Sequence, residues 1–167
     1  MAARQRRRPV IRHIPIAMLA AALGFLVSPL AAKDWIGPGR FCGYSPVIDL
    51  LPGEQVIPLE GGIHMGSFRW EGGFGAMKVV GIGWASPPRG FIEAGRTSKG
   101  MTLFRQRRMK GEYRVGIWNR SHGVAYFSSP NRFTAKQRAA IDRVDLHDEG
   151  DEPQGCNWRT IFSWEAE

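Results

Sequence analysis

Apolar and polar residues alternate along short stretches in the middle of the chain. Tyr113, Val115 and Ile117 alternate with Arg114 and Gly116, so one side of this stretch is apolar and the other is not. A period of two indicates a β-strand with one buried face. The pattern therefore predicts strands rather than helices over this region.

Similar runs recur, separated by glycine or proline. Gly72-Gly73 predicts a tight turn between two of them, and the glycines within residues 77–84 indicate a bulge or a close backbone approach. The predicted strands lie around residues 68–70, 77–84, 91–94, 101–107, 112–118, 124–127 and 158–164. Residues 33–63 contain four prolines and are expected to form an irregular lead-in with short extended pieces.

One helix is predicted over residues 135–144. Thr134 and Gln137 have the spacing of a capping box, in which each side chain bonds a backbone N–H of the first turn. The acidic residues 145–152 that follow are expected to form an exposed loop, because they would lie at the negative end of the helix dipole.

Together these elements predict a mainly β fold. We expect a single antiparallel β-sandwich or partly open barrel, with the short helix near residues 135–144 packed on one side or end.

The N-terminal segment has the three parts of a secretory signal. Residues 1–12 contain five arginines, residues 14–30 are apolar and uncharged, and Ala31-Ala32 follow. We expect a signal peptide over residues 1–32 and a single exported domain over 33–167, which would be periplasmic or secreted. An uncleaved anchor is the alternative, in which case this segment alone contacts the membrane. The Arg7-Arg8 pair is compatible with export by the twin-arginine route as well as by the general secretory route.

Charge is distributed unevenly. The formal net charge is +8, but residues 33–167 hold 18 basic and 15 acidic residues, a net charge of +3. Residues 89–143 hold 13 of the basic and three of the acidic residues, whereas residues 144–167 hold one and seven. The overall balance gives no support for a nucleic-acid partner, and the basic middle can pair with the acidic tail or present a separate face.

The cysteine content predicts one disulfide. Cys42 and Cys156 are the two cysteines of the chain, and an isolated pair in an exported protein indicates a bond between them. Two free buried thiols are the alternative. Neither cysteine has a second at metal-binding spacing, and we expect no metal site and no cofactor.

The candidate catalytic residues are His64 and His122. His64 lies in a glycine-rich segment and His122 in a predicted turn between strands, and loops of this kind often carry reactive groups. Ser121 is adjacent to His122, but neighbours on an extended chain point apart and do not form a nucleophile–base pair.

The candidate binding residues are Arg105, Arg107, Arg108 and Lys110. Guanidinium groups bind carboxylates and phosphates through two parallel hydrogen bonds. Strict alternation would place Arg105 and Arg107 on one face of a strand, with Arg108 and Lys110 in the following turn. This pattern favours a non-enzymatic binding or structural module of the cell envelope, with an anionic envelope component or an acidic protein as its partner. The alternative is a small exported hydrolase that uses His64 or His122 with a carboxylate.

Overall fold

A computed structural model describes residues 35–62, 64–86, 89–148, 150–151 and 153–159. The predicted signal segment and most of the predicted strand over residues 158–164 lie outside these ranges. Within them, the single helix is too short to cross a membrane.

The described residues form twelve strands and one α-helix. The strands are β1 Trp35–Ile36, β2 Gly39–Cys42, β3 Pro46–Leu50, β4 Gln55–Gly61, β5 Met65–Gly72, β6 Gly75–Ile82, β7 Glu93–Arg96, β8 Thr102–Met109, β9 Glu112–Trp118, β10 Val124–Ser129, β11 Asp145–Leu146 and β12 Trp158–Arg159, and the helix is α1 Ala135–Asp142.

The strands form two sheets. The large sheet has the order β1-β4-β5-β6-β10-β9-β8-β7 and is antiparallel throughout. The small sheet has the order β11-β3-β2-β12, in which β12 runs parallel to β2. The mainly β prediction is confirmed. Of the two predicted architectures the sandwich is found, since the described strands form an open large sheet with β1 and β7 at its edges.

A single apolar core lies between the large sheet on one side and the small sheet and helix on the other. Phe68 of β5 packs edge-on against Phe41 of β2, with ring centroids 4.8 Å apart. Ala140 and Ile141 extend the same core from the helix. Burial of this apolar area is the main term that stabilises the sandwich.

Two glycines let the small sheet come close to the large one. A Cβ at Gly81 of β6 would overlap the ring of Pro46, and one at Gly66 of β5 would lie 2.8 Å from a ring carbon of Tyr44. The close backbone approach that the glycines of residues 77–84 predict is therefore confirmed at Gly81.

The lead-in is more regular than predicted, because it supplies four strands, β1 to β4. Pro46 is tolerated because it is the first residue of β3. Pro58 is tolerated beside the irregularity between Pro58 and Glu60, where β4 pairs with β5.

The helix begins as predicted and ends earlier. The capping box is confirmed: the Gln137 backbone N–H donates to the Thr134 hydroxyl at 3.1 Å, and the Gln137 side chain accepts from the Thr134 backbone N–H at 2.9 Å. The helix ends at Asp142 and not at residue 144, since Val144 is fully buried in the core ahead of β11.

Residues 145–152 after the helix were predicted to form an exposed loop, and this prediction is wrong for the first part of the stretch. Asp145 and Leu146 pair with β3, and His147 is buried. The His147 ring nitrogens lie 2.9 Å from the Asp148 carbonyl oxygen and 2.8 Å from that of Gly43. These contacts with β3 and the loop before it outweigh the local preference for solvent.

The predicted disulfide is confirmed. Cys42 and Cys156 are bonded, with their Cα atoms 5.8 Å apart across a sequence separation of 114 residues. The bond fastens the end of β2 to the segment that leads into β12.

Candidate functional site

The large sheet has an outer face, opposite the core. On each central strand, the residues that alternate with core residues point to this face. Phe68, Val79, Phe127 and Val115 are core residues of β5, β6, β10 and β9. Their immediate neighbours in the chain therefore determine the character of the outer face.

Five outer-face residues form one line across five adjacent strands. Successive Cα partners are Arg69 with Lys78, Lys78 with Ser128, Ser128 with Arg114, and Arg114 with Arg107. We call this set the basic row. Adjacent strands lie about 4.8 Å apart, so the row extends over roughly 19 Å.

The basic row brings like charges directly opposite one another. Arg69 faces Lys78 and Arg114 faces Arg107, and such pairs destabilise a sheet. Each arginine has a local partner. Arg69 Nε lies 2.5 Å from Glu71 Oε1, an Arg114 nitrogen lies 3.6 Å from Glu112 Oε2, and Arg107 donates to the Gly90 carbonyl oxygen at 2.6 Å. Lys78 makes no ion pair with any described residue.

A pocket of about 290 Å³ adjoins the middle of the basic row. Its lining consists of Lys78, Val80, Ile82, Glu112, Arg114, Tyr126 and Ser128. Arg114 Nε is buried and has no hydrogen-bond partner among the described residues. Burial raises the pKa of the Tyr126 phenol above its ordinary value near 10, and the neutral hydroxyl is a donor. The pocket therefore offers two cations and two hydroxyl donors against one carboxylate, that of Glu112, and this balance suits an anionic group.

An aromatic cluster extends from Tyr126, one of the residues that line this pocket. Phe91 lies against Tyr126 and Phe104, with ring centroids 5.7 Å and 6.4 Å away. Gly116 lies between Tyr126 and Phe104 in the sheet register and leaves room for both rings. The cluster therefore forms an apolar surface next to the charged side chains of the pocket.

The four predicted binding residues are dispersed. The register of β8 shifts between Phe104 and Arg107, so two residues of β8 lie opposite Val115 alone. This bulge breaks the alternation that would place Arg105 and Arg107 on one face. Arg107 joins the basic row, whereas Arg105 lines a cavity beneath the helix.

The other two predicted binding residues lie outside the basic row. Arg108 belongs to β8 and not to the turn, and its guanidinium lies 5.8 Å from the ring centre of Tyr113. Lys110 is in the turn between β8 and β9, as predicted, with a φ of 49°.

The two candidate catalytic histidines both lie beside one tryptophan. The His64 and His122 ring centroids are 6.3 Å and 5.9 Å from that of Trp84, whose residue surface is 69% exposed. His122 occupies the turn between β9 and β10, as predicted. Its ring forms no hydrogen bond or ion pair with the part of the chain that the structure describes.

Asp148, which sequence reasoning missed, fixes the turn that carries His122. Its Oδ1 accepts from the Asn119 amide at 2.6 Å and from the backbone N–H groups of His122 and Gly123 at 3.0 and 2.9 Å. Burial raises the pKa of this carboxyl, but these bonds and one from Ser121 outweigh burial and lower it to about 2. Asp148 therefore bonds the backbone N–H of His122 and not its ring.

The described His, Cys, Asp and Glu side chains do not form a group of three that could hold a metal ion. Comparison with known proteins gives no further assignment: no protein-family model, curated protein or solved structure matches this chain.

Sequence reasoning also missed Arg69 and Lys78. Each is adjacent to a core residue, so alternation alone places it on the outer face. The alignment of the basic row depends on the register of four strand pairings, which the sequence does not display.

Proposed function

We propose that this protein is an exported binding module of the cell envelope, and that the basic row holds an anionic partner. The observation that carries the proposal is the alignment of four cationic side chains across five strands beside a pocket. Like charges in direct opposition cost stability, and an anion bound along the row would remove that cost.

The shape of the row favours an extended anionic chain as the partner. Its positions repeat at about the strand spacing of 4.8 Å, so a polymer with regular carboxylate or phosphate groups can contact several cations at once. The pocket at Arg114 and Tyr126 would hold one such group more deeply. The aromatic cluster adds an apolar contact surface for the body of the polymer.

The disulfide supports the exported location. A bond between Cys42 and Cys156 is stable in an oxidising compartment, as expected if residues 1–32 act as a signal. A partner found in the periplasm or outside the cell follows from that location.

The first test measures binding of the full-length chain to inorganic polyphosphate and to poly-L-glutamate at several salt concentrations. The variant combines Lys78→Gln with Arg114→Gln. The matched control combines Lys99→Gln with Lys136→Gln, which removes the same charge from exposed positions outside the row. We expect the variant to lose about tenfold or more in affinity, and the control to lose much less, because only the variant removes aligned donors.

Equal losses in variant and control would show a general charge effect and contradict the proposal. Binding to vesicles that contain phosphatidylglycerol, without binding to either polymer, would show that the partner is a lipid surface and not a polymer.

A second candidate function is hydrolysis that uses His64 or His122. The observation that favours it is that both rings lie beside Trp84 at one end of the large sheet. Loss of a measured hydrolytic activity in His122→Ala, with the thermal unfolding midpoint unchanged, would support this function. An unchanged activity would show that His122 takes no part in hydrolysis.

A further inference from the structure

A second cavity, of about 240 Å³, lies on the inner side of the large sheet beneath α1. We call it the helix cavity. Leu103 of β8, Val115 of β9 and Ile141 of α1 give it a largely apolar lining. It is separate from the pocket at the basic row, with which it shares no lining residue.

The bulge in β8 places polar groups at this cavity. Arg105 and Gln106 lie opposite Val115 and both line the helix cavity. Regular alternation would direct one of the two to the opposite face. The bulge therefore adds a cation and an amide to an otherwise apolar site.

These polar groups are available to a ligand. Gln106 Nε2 is buried and has no hydrogen-bond partner among the described residues. The Arg105 side chain forms no ion pair or hydrogen bond within the described ranges. A buried amide nitrogen without an acceptor is costly, and a bound acceptor would offset that cost.

The other charged residues at the helix cavity are already engaged. Arg138 donates to the Phe133 carbonyl oxygen at 2.6 Å. The Asp142 carboxylate accepts from the Ser98 backbone N–H at 2.9 Å. The uncommitted groups are thus one guanidinium and one amide donor, which together suit a carboxylate.

We propose that the helix cavity binds a small amphipathic carboxylate. The apolar body would occupy the space between Leu103, Val115 and Ile141, and the carboxylate would accept from Gln106 Nε2 and Arg105. A cavity of 150 Å³ lined by aliphatic and aromatic side chains holds benzene. Scaling to the helix cavity gives an apolar body of roughly ten carbon atoms or fewer.

The experiment uses isothermal titration of the full-length chain with three probes of equal chain length: octanoate, octan-1-ol and octylammonium. Octanoate is expected to bind about tenfold more tightly than octan-1-ol, because only the carboxylate satisfies both donors. Octylammonium is expected to bind more weakly than octanoate, since its charge opposes those of Arg105 and Arg138 and only the Asp142 carboxylate attracts it.

Two variants locate the site. Arg105→Gln is expected to bring octanoate and octan-1-ol to about the same affinity. Ala94→Phe adds a ring from an exposed position of the edge strand β7 into the cavity lining, and is expected to abolish binding of both. The exposed position keeps the risk to folding low, and a thermal unfolding measurement checks this.

Equal affinities for octanoate and octan-1-ol, no binding of octanoate at millimolar concentration, or unchanged binding in folded Ala94→Phe would each overturn the proposal. The Lys78→Gln and Arg114→Gln variant is expected to bind octanoate normally. Failure at the helix cavity is therefore distinguishable from failure at the basic row.

Discussion

The two faces of the large sheet are made by the same strands and differ in the charge and polarity of their side chains. On the inner face Phe68, Val79 and Phe127 are at most 2% exposed and pack against the small sheet and the helix. On the outer face their neighbours Arg69, Lys78 and Ser128 belong to the basic row.

This difference separates stability from binding within single strands. Because side chains alternate, a substitution at one position affects the core, and a substitution at the next position along the strand affects the basic row. Substitutions at two adjacent residues, or at two glycines on opposite faces, therefore test directly whether stability and binding are separate.

The largest effect is expected for Phe127→Ala. The side chain is fully buried, so the loss of its contacts and the resulting cavity should lower the free energy of unfolding by about 3–5 kcal/mol. Ser128→Ala, one residue further on, should change it by less than about 1 kcal/mol. Urea unfolding measures both changes. Similar losses of stability in the two variants would show that the outer face contributes as much to stability as the core does.

Gly81→Ala is expected to have the next largest effect. The added methyl overlaps Pro46 of the small sheet, so overpacking should cost about 1–3 kcal/mol. The matched control is Gly116→Ala on the outer face, where the new Cβ would lie 3.4 Å from the Tyr126 ring, an ordinary contact. A Gly81 variant as stable as the Gly116 variant would contradict the close approach of the two sheets.

An effect of intermediate size is expected at Asp148, which fixes the turn between β9 and β10. Its pKa of about 2 in the folded protein lies below that of an unfolded aspartate, about 3.9. The carboxylate therefore stabilises the fold above about pH 4, and this stabilisation is lost as the pH falls toward 2.

The contribution should be on the order of 1–2 kcal/mol, after allowance for solvent screening. Urea unfolding between pH 5 and pH 2, compared with Asp148→Asn, measures it. The stability difference between the two proteins should shrink as the pH falls. A constant difference would show that the hydrogen bonds do not depend on the charge.

The smallest effect on stability is expected for Lys78→Thr. This change removes a cation that faces Arg69 and breaks no ion pair among the described residues. The free energy of unfolding should rise by up to about 0.5 kcal/mol at low salt, and the gain should shrink as salt screens the charges. Binding to polyphosphate should fall at the same time. A loss of stability would mean that Lys78 has a structural role.

Local patterns in the sequence predict the elements well and their assembly poorly. The strand Glu112–Trp118 and the capping box at Thr134 follow from residues close together in the chain, and both are confirmed. The strands β1 to β4 were predicted only as short extended pieces of an irregular lead-in, because the prolines of this region argue against regular strands when tertiary pairing is ignored.

The candidate site was predicted only in part, for the same reason. Arg107 was identified from a run of basic residues, and it does belong to the basic row. Arg69 and Lys78 are isolated in the sequence and join it only through long-range pairing. The bulge that separates Arg105 from Arg107 likewise depends on the pairing of β8 with β9.

The small sheet combines strands from both ends of the described chain, and this affects the order in which the protein can fold. β2 and β3 pair with β11 and β12, and the strands from β4 to β10 lie between these two groups in the sequence. A ribosome therefore makes the whole large sheet before it makes the strands that complete its cover. Until those residues emerge, the inner apolar face has only part of its final partners and is exposed to aggregation.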